Sequence, residues 1–289
     1  MLFGMTVDDV CMPEFSSEEH LGRTLEMLAE LGIRATFFVV PLADGVPLGE
    51  WPGYVALLKR ALAAGHEVAQ HGLEHDRFEV GIPPDMVLSL PHEGPARERL
   101  ARDRALIDES HTVPNIRKKL AQGRRILEDA SGVRMAGFRA PCLQICDNLF
   151  VALAEEGFRY DSSFPIQEAG WDLINGRLDA VRRPITQARA AATRRHSDLI
   201  SLPMTTDYTW YLTEERYAAT WAMARQDVLD CLREGVPFVP LSHVSPIYQD
   251  DAGCGERLFR ELVALVREEA ARAGQACEFI PLAEIAGSV

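Results

Sequence analysis

Two adjacent carboxylates, Asp8 and Asp9, close an apolar run, and two histidines four positions apart, His71 and His75, follow the segment HEVAQ (66–70). Neighbouring residues on a strand point to opposite sides. At a strand-to-loop transition, one aspartate can therefore ligate a metal while the other reaches a water beside it. Positions four apart on a helical turn share a face, which would let both imidazoles reach one ion. Gly72 stands where a thermolysin-like H-E-x-x-H helix needs its glutamate, so that chemistry is excluded. Taken singly, the aspartates also read as a helix cap or turn, and the histidines as satisfied core residues. Together they mean more. Each falls at the C-terminal end of an expected parallel strand, the face on which barrel active sites are built. Two His and one Asp leave coordination positions open, as a catalytic metal requires.

The elements that must position them alternate regularly. Strands are expected at 2–7, 35–40, 66–70, 135–141, 158–164, 199–204, 238–243 and 277–282. Helices are expected at 17–31, 54–64, 116–130, 147–156, 214–234 and 257–273, the first opened by Ser16 or Ser17 and closed by Gly32. Such alternation implies an α/β fold with a mainly parallel sheet. About eight strands favour a closed or nearly closed barrel over a short open sheet. No G-x-G-x-x-G or Walker pattern sits at a strand–helix turn, which argues against a nucleotide-binding fold. Two stretches break the rhythm, 80–114 with its prolines and 165–198 around Trp171. They are read as loop insertions, either surface decoration or cover for the barrel mouth.

The chain resembles the polysaccharide deacetylase superfamily, the NodB-homology domain. TVDDV (6–10) is similar to its T-F-D-D-G motif and GHEVAQHGLEH (65–75) to its G-H-E-x-x-x-H-[ST]-x-x-H segment. FRAP (138–141), YDSS (160–163) and PLSH (240–243) correspond to its R-x-P, aspartate and L-x-H motifs, in order, over roughly residues 2 to 285. The resemblance implies a distorted, incomplete (β/α) barrel that hydrolyses N- or O-acetyl groups and related amides. It makes Asp8 the general base and Asp9, His71 and His75 the ligands of one divalent metal. Zinc is the first expectation, with cobalt, nickel, iron(II) and manganese as alternatives. It implies that Arg139 pairs with Asp8, and that His243 is the general acid oriented by Asp161. The backbone N–H of Cys142 is then an oxyanion donor. Val10, Gly72 and the segment Ala140–Leu143 depart from the usual motifs and alter the walls of the site, not its chemical groups.

Trp171, Asp207, Tyr208, Trp210 and Tyr211 are candidate substrate contacts, the aromatics by stacking on a sugar face. Cys11 is expected near the mouth as an oxidation-sensitive thiol, and Cys142 with Cys146 is rejected as a second metal site. The remaining histidines, His20, His66, His92, His111 and His196, are not expected to be ligands. A net charge of −13 in 289 residues excludes a phosphate-backbone partner. No apolar run suits a membrane span, and no export signal is evident. With six scattered cysteines, these features give the expectation of a cytoplasmic, single-domain enzyme over 1–289, its oligomeric state open. An N-acyl amino sugar or related small molecule or oligosaccharide is the expected substrate. A cyclic amide, imide or formamide hydrolase is the alternative, and a non-catalytic carbohydrate-binding protein is the alternative of another class.

Overall fold

The computed structural model describes residues 1–249 and 252–288. Its centre is a curled, seven-stranded parallel sheet: β1 (Met5–Val10), β2 (Ala35–Val39), β3 (Glu67–His71), β4 (Gly137–Arg139), β5 (Tyr160–Asp161), β6 (Ile200–Ser201) and β7 (Leu241–His243). In space the order is β7-β1-β2-β3-β4-β5-β6, so the last strand returns beside the first, as in an incomplete (β/α) barrel. All six residues of β1 and all five of β2 are buried, because helices cover one side of the sheet and the packed interior covers the other.

The helices begin and end where backbone chemistry requires. In α1 (Glu18–Leu31) the Ser17 hydroxyl accepts the His20 N–H, Glu18 and Glu19 face the positive helix end, and Gly32 closes the helix at φ 62°. Leu21, Leu25 and Leu28, spaced on one face, pack into the core. Around the barrel follow α2 (Pro52–Ala63), α3 (Val113–Ser131), α4 (Asp147–Glu155), α5 (Glu214–Glu234) and α6 (Cys254–Arg272).

The expected eighth strand is not part of this sheet. From 277–282 only Glu278–Phe279 is extended, and it pairs with Leu2–Phe3 in a separate two-stranded ladder. The opening between β6 and β7 is crossed instead by the segment after β6. Thr205 N–H donates to Val239 C=O at 2.6 Å, Leu241 N–H donates to Thr206 C=O at 3.0 Å, and Asp207 bridges to Leu241. This crossing brings Asp207 to the rim beside β7.

The two irregular stretches contain short helices of their own. Asp85–Leu88 and Gly94–Ser110 lie in the first, Ala169–Ile174 and Gln187–Ala191 in the second. Val87 and Leu90 from the first, with Trp171 and Ile174 from the second, wall the pocket at the mouth. Part of each stretch therefore shapes the site.

Candidate active site

The aspartate pair owes its geometry to a bulge. The β1–β2 register shifts between Val7 and Val10, and Asp9 adopts φ 59°. Ordinary strand alternation is broken, so both carboxylates line the same pocket. The histidines do not lie on a helical turn. His71 ends β3, the chain then reverses through Gly72 and His75, both at φ 62°, and the rings meet with centroids 5.1 Å apart. The side chain of Glu79 fixes this loop, its carboxylate accepting the N–H groups of Leu73, Glu74 and His75 at 2.5, 3.2 and 3.2 Å. A Cβ at Gly72 would lie 2.5 Å from Pro141 Cγ and 2.6 Å from Glu79 Oε2. Glycine stands here because the carboxylate fills the space a side chain would need.

Asp9 Oδ1 lies 3.2 Å from His71 Nε2 and 3.0 Å from His75 Nε2. These groups form the one set among the described residues whose ligand atoms fall within 4.8 Å of one another. His71 Nδ1 lies 2.9 Å from the Arg139 carbonyl, an acceptor only, so Nδ1 carries the proton and Nε2 presents its lone pair. Asp9 Oδ1 is buried with no hydrogen-bond partner. A buried carboxylate oxygen facing two imidazole nitrogens is a costly arrangement unless a cation completes it. A divalent ion fits these donors. Burial opposes ionisation of Asp9, yet the neighbouring imidazoles of His75, His243 and His71 hold its carboxyl well below the usual range.

Asp8 is held from behind. Arg139, fully buried, donates from Nη1 to Asp8 Oδ1 at 2.7 Å and to Thr6 Oγ1 at 2.8 Å. Its Nε and Nη2 donate to the Ser162 carbonyl and hydroxyl at 2.9 and 2.7 Å, and its guanidinium stacks over Phe38. The expected Arg139–Asp8 pair is present, with every face of the cation occupied.

His243 does not pair with Asp161. Its Nδ1 lies 2.8 Å from Asp207 Oδ2, while Nε2 faces the centre 3.6 Å from Asp9 Oδ2. The other Asp207 oxygen accepts the N–H groups of Thr209 and Trp210 at 2.7 and 3.0 Å. Trp210 is thereby set edge-on to His243, ring centroids 4.4 Å apart. Burial opposes a charge on His243, but the Asp207 hydrogen bond and the charges of Asp9, Asp207 and Asp8 raise its pKa above the ordinary value. Asp161 turns instead to its own loop, accepting Ser163 N–H at 3.1 Å and Ser163 O–H at 2.6 Å. That serine oxygen accepts Ala140 N–H at 2.9 Å. Asp161 therefore braces the loop after β4, and burial pushes its pKa up to about 6.

Trp171, Trp210, Asp207 and Cys142 line the pocket as expected. Tyr208 does not; it is buried against Phe238, and its hydroxyl donates to Asp227 at 2.8 Å. Tyr211 packs on Trp210 outside the lining. Cys11 is buried rather than poised at the mouth, and burial pushes its thiol up to about 12. Sequence reasoning missed Glu79 and Arg77. It read Asp207 only as a substrate contact and did not foresee that it meets His243.

A sequence profile of polysaccharide deacetylases matches residues 2–160. The chain belongs to the polysaccharide deacetylase family. Among solved structures it is similar to a presumed polysaccharide deacetylase from Mycobacterium smegmatis, with TM-score 0.62 and 18% identity over 100% of this chain and 89% of the other. It is also similar to a mutant of a CE4-family pseudoenzyme from Bacillus anthracis with restored activity, with TM-score 0.52 and 16% identity over 99% and 67% of the two chains. At these identities the likeness establishes the fold. No curated protein sequence matches the chain. No helix among the described residues is long and apolar enough to cross a membrane.

Proposed function

We propose that this polysaccharide deacetylase-family chain is a metal-dependent amidohydrolase that removes an N-acyl group, most simply acetyl, from an amino sugar or another compact molecule. Asp9, His71 and His75 would hold one divalent ion, zinc by preference for mixed N and O donors. When bound, the ion supplies Lewis acidity toward an acyl oxygen and a water. The observation that carries the reading is the buried, partnerless Asp9 Oδ1 set between two imidazole nitrogens.

The chain's own groups divide the proton work. Asp8, fixed by Arg139 on one oxygen, takes the proton of the attacking water on the other. His243, whose Nδ1 faces Asp207, presents Nε2 to protonate the leaving nitrogen, without which an amine leaves poorly. Cys142, left-handed and in the pocket lining, would offer its N–H to the developing oxyanion. The pocket is partly open and walled by Val87, Leu90, Leu143, Trp171 and Ile174, which suits a small molecule or a single sugar unit.

Two measurements test this proposal: metal analysis of the purified protein, and mass-shift screening of N-acetylated and N-formylated compounds. Metal near one equivalent, and a mass loss of about 42 where acetyl is replaced by hydrogen or about 28 where formyl is, are the expected outcomes of metal-assisted deacylation. Asp8→Asn and His243→Ala keep metal and lose turnover by about 10²–10⁴, whereas His75→Ala loses metal. Full activity of a metal-loaded Asp8→Asn enzyme would refute the assignment.

A further inference from the structure

One cation in the pocket is not used by the chemistry above. Arg77 lies two residues beyond His75 and lines the same pocket. Its Nε donates to both oxygens of Glu93 at 2.9 Å, and Glu93 itself is buried. Neither terminal nitrogen of Arg77 has a hydrogen-bond acceptor among the described residues, and the side chain retains 24% of its exposure. A guanidinium usually meets a carboxylate through two nitrogens side by side. Here both Glu93 oxygens crowd onto Nε, which orients the group and leaves its Nη1–Nη2 edge unclaimed.

The surroundings make that edge meaningful. Val87, Leu90, Leu143, Trp171 and Ile174 give the pocket apolar walls. Asp8, Asp9, His71, His75, Asp207 and His243 are committed to the reaction centre or to one another, and His92, also in the lining, lies 3.5 Å from Glu93 Oε1. Donors left open beside apolar walls select a ligand group that satisfies them, because a ligand lacking it leaves them partly desolvated and unpaired. The planar two-donor edge matches a carboxylate in shape and charge.

We infer that Arg77, oriented by Glu93, receives a carboxylate of the substrate, so that the pocket takes a compact N-acyl compound bearing an acid group. This inference rests on the amidohydrolase reading and narrows its substrate class. It also gives the 80–114 stretch a role, since that stretch supplies Glu93 together with the apolar wall of Val87 and Leu90.

Calorimetry on the zinc-loaded protein tests it with two matched pairs: N-acetyl-L-leucine against N-acetyl-L-leucinamide, and N-acetylglucosaminuronic acid against N-acetylglucosamine. In at least one pair the acid is expected to bind about tenfold more tightly or better, the scale of one charge-assisted contact. Arg77→Gln should reduce that preference to within about twofold, and Arg77→Lys should keep part of it. The double variant Arg77→Gln/Glu93→Gln avoids a buried unpaired acid and should behave like Arg77→Gln. No acid preference in either pair, whether from equal binding or from no binding, overturns the inference. So does an acid preference that survives in the double variant, since the carboxylate would then be seeking the metal. Turnover of the same pairs is scored separately. An Arg77-dependent preference without hydrolysis of any amide supports the carboxylate site and counts against the amidohydrolase; hydrolysis with no charge preference does the reverse.

Discussion

The Nδ1 of His243 and the carboxylate of Asp207 meet at 2.8 Å, and what that contact does can be separated from what Asp161 does. Asp207 holds the ring with Nε2 toward Asp9, and under the proposed mechanism it would stabilise the protonated form that delivers the proton. Asp207→Asn should therefore lower kcat by about 10²–10⁴ with zinc still bound, as shown by steady-state kinetics and metal analysis. Asp161→Asn should leave kcat near wild type, because it touches Ser163 rather than a reacting group. Its signature is in stability. With a folded pKa of about 6 against 3.8 for the free acid, Asp161 favours the fold fully below pH 4, and that contribution is lost as pH rises through 6. Relative to Asp161→Asn, the wild type should lose up to roughly 3 kcal/mol across that window, measurable by denaturant titration at several pH values. An Asp161→Asn enzyme as crippled as Asp207→Asn would reverse the two assignments. The residue types of the centre were legible: Asp8, Asp9, His71, His75, Arg139 and His243 converge as their motifs implied. The partner of His243 was not, because Asp161 and Asp207 both follow apolar runs. Only the crossing between β6 and β7 decides which one arrives.

At the scale of elements, the loop between His71 and Glu79 carries the most unusual physics. The family pattern places Ser or Thr at position 72, yet restoring it here should harm the protein. A side chain at φ 62° is strained, and its Cβ would strike Pro141 and the Glu79 carboxylate. Gly72→Ser should cost roughly 2–4 kcal/mol, seen as a lowered denaturation midpoint. Glu79→Gln removes one acceptor atom from three converging N–H groups and turns an amide toward them. Zinc affinity should fall about 10–100-fold, as for other partners that orient metal ligands, in competition with a chromophoric chelator. Unchanged affinity would show that the loop holds its shape without the carboxylate. Helix limits were readable because caps are local: α5 spans Glu214–Glu234 as expected, and α1 starts and stops at Ser17 and Gly32. Strand limits were not. LISLPM forms a ladder only at Ile200–Ser201, since Pro203 has no N–H to donate, and Pro141 follows closely on the end of β4. An apolar run shows burial, whereas a ladder needs a paired neighbour.

For the whole molecule, the candidate metal ligands join elements distant in sequence. Asp9 hangs from β1, and His71 and His75 from β3 and its loop, with β2 between them. An ion bound there acts only on the folded arrangement, because the unfolded chain scatters its donors. Its binding energy is then folding energy. With free zinc one thousandfold above Kd the stabilisation is about 4.1 kcal/mol, worth on the order of ten degrees in Tm for a chain of this size. Chelator-stripped protein should accordingly melt well below the zinc-loaded form, and adding zinc back should restore the difference in a concentration-dependent way. His75→Ala should abolish the response, since it removes one of the three donors. Asp8→Asn should keep it, because Asp8 is tied to Arg139 through Oδ1, its Oδ2 stands 4.0 Å from His71 Nε2, and the three candidate donors are Asp9, His71 and His75. The comparison separates stability from catalysis: a zinc response retained in His75→Ala would place the ion elsewhere. A response absent from the wild type would leave Asp9 Oδ1 a buried acceptor without the cation its surroundings call for.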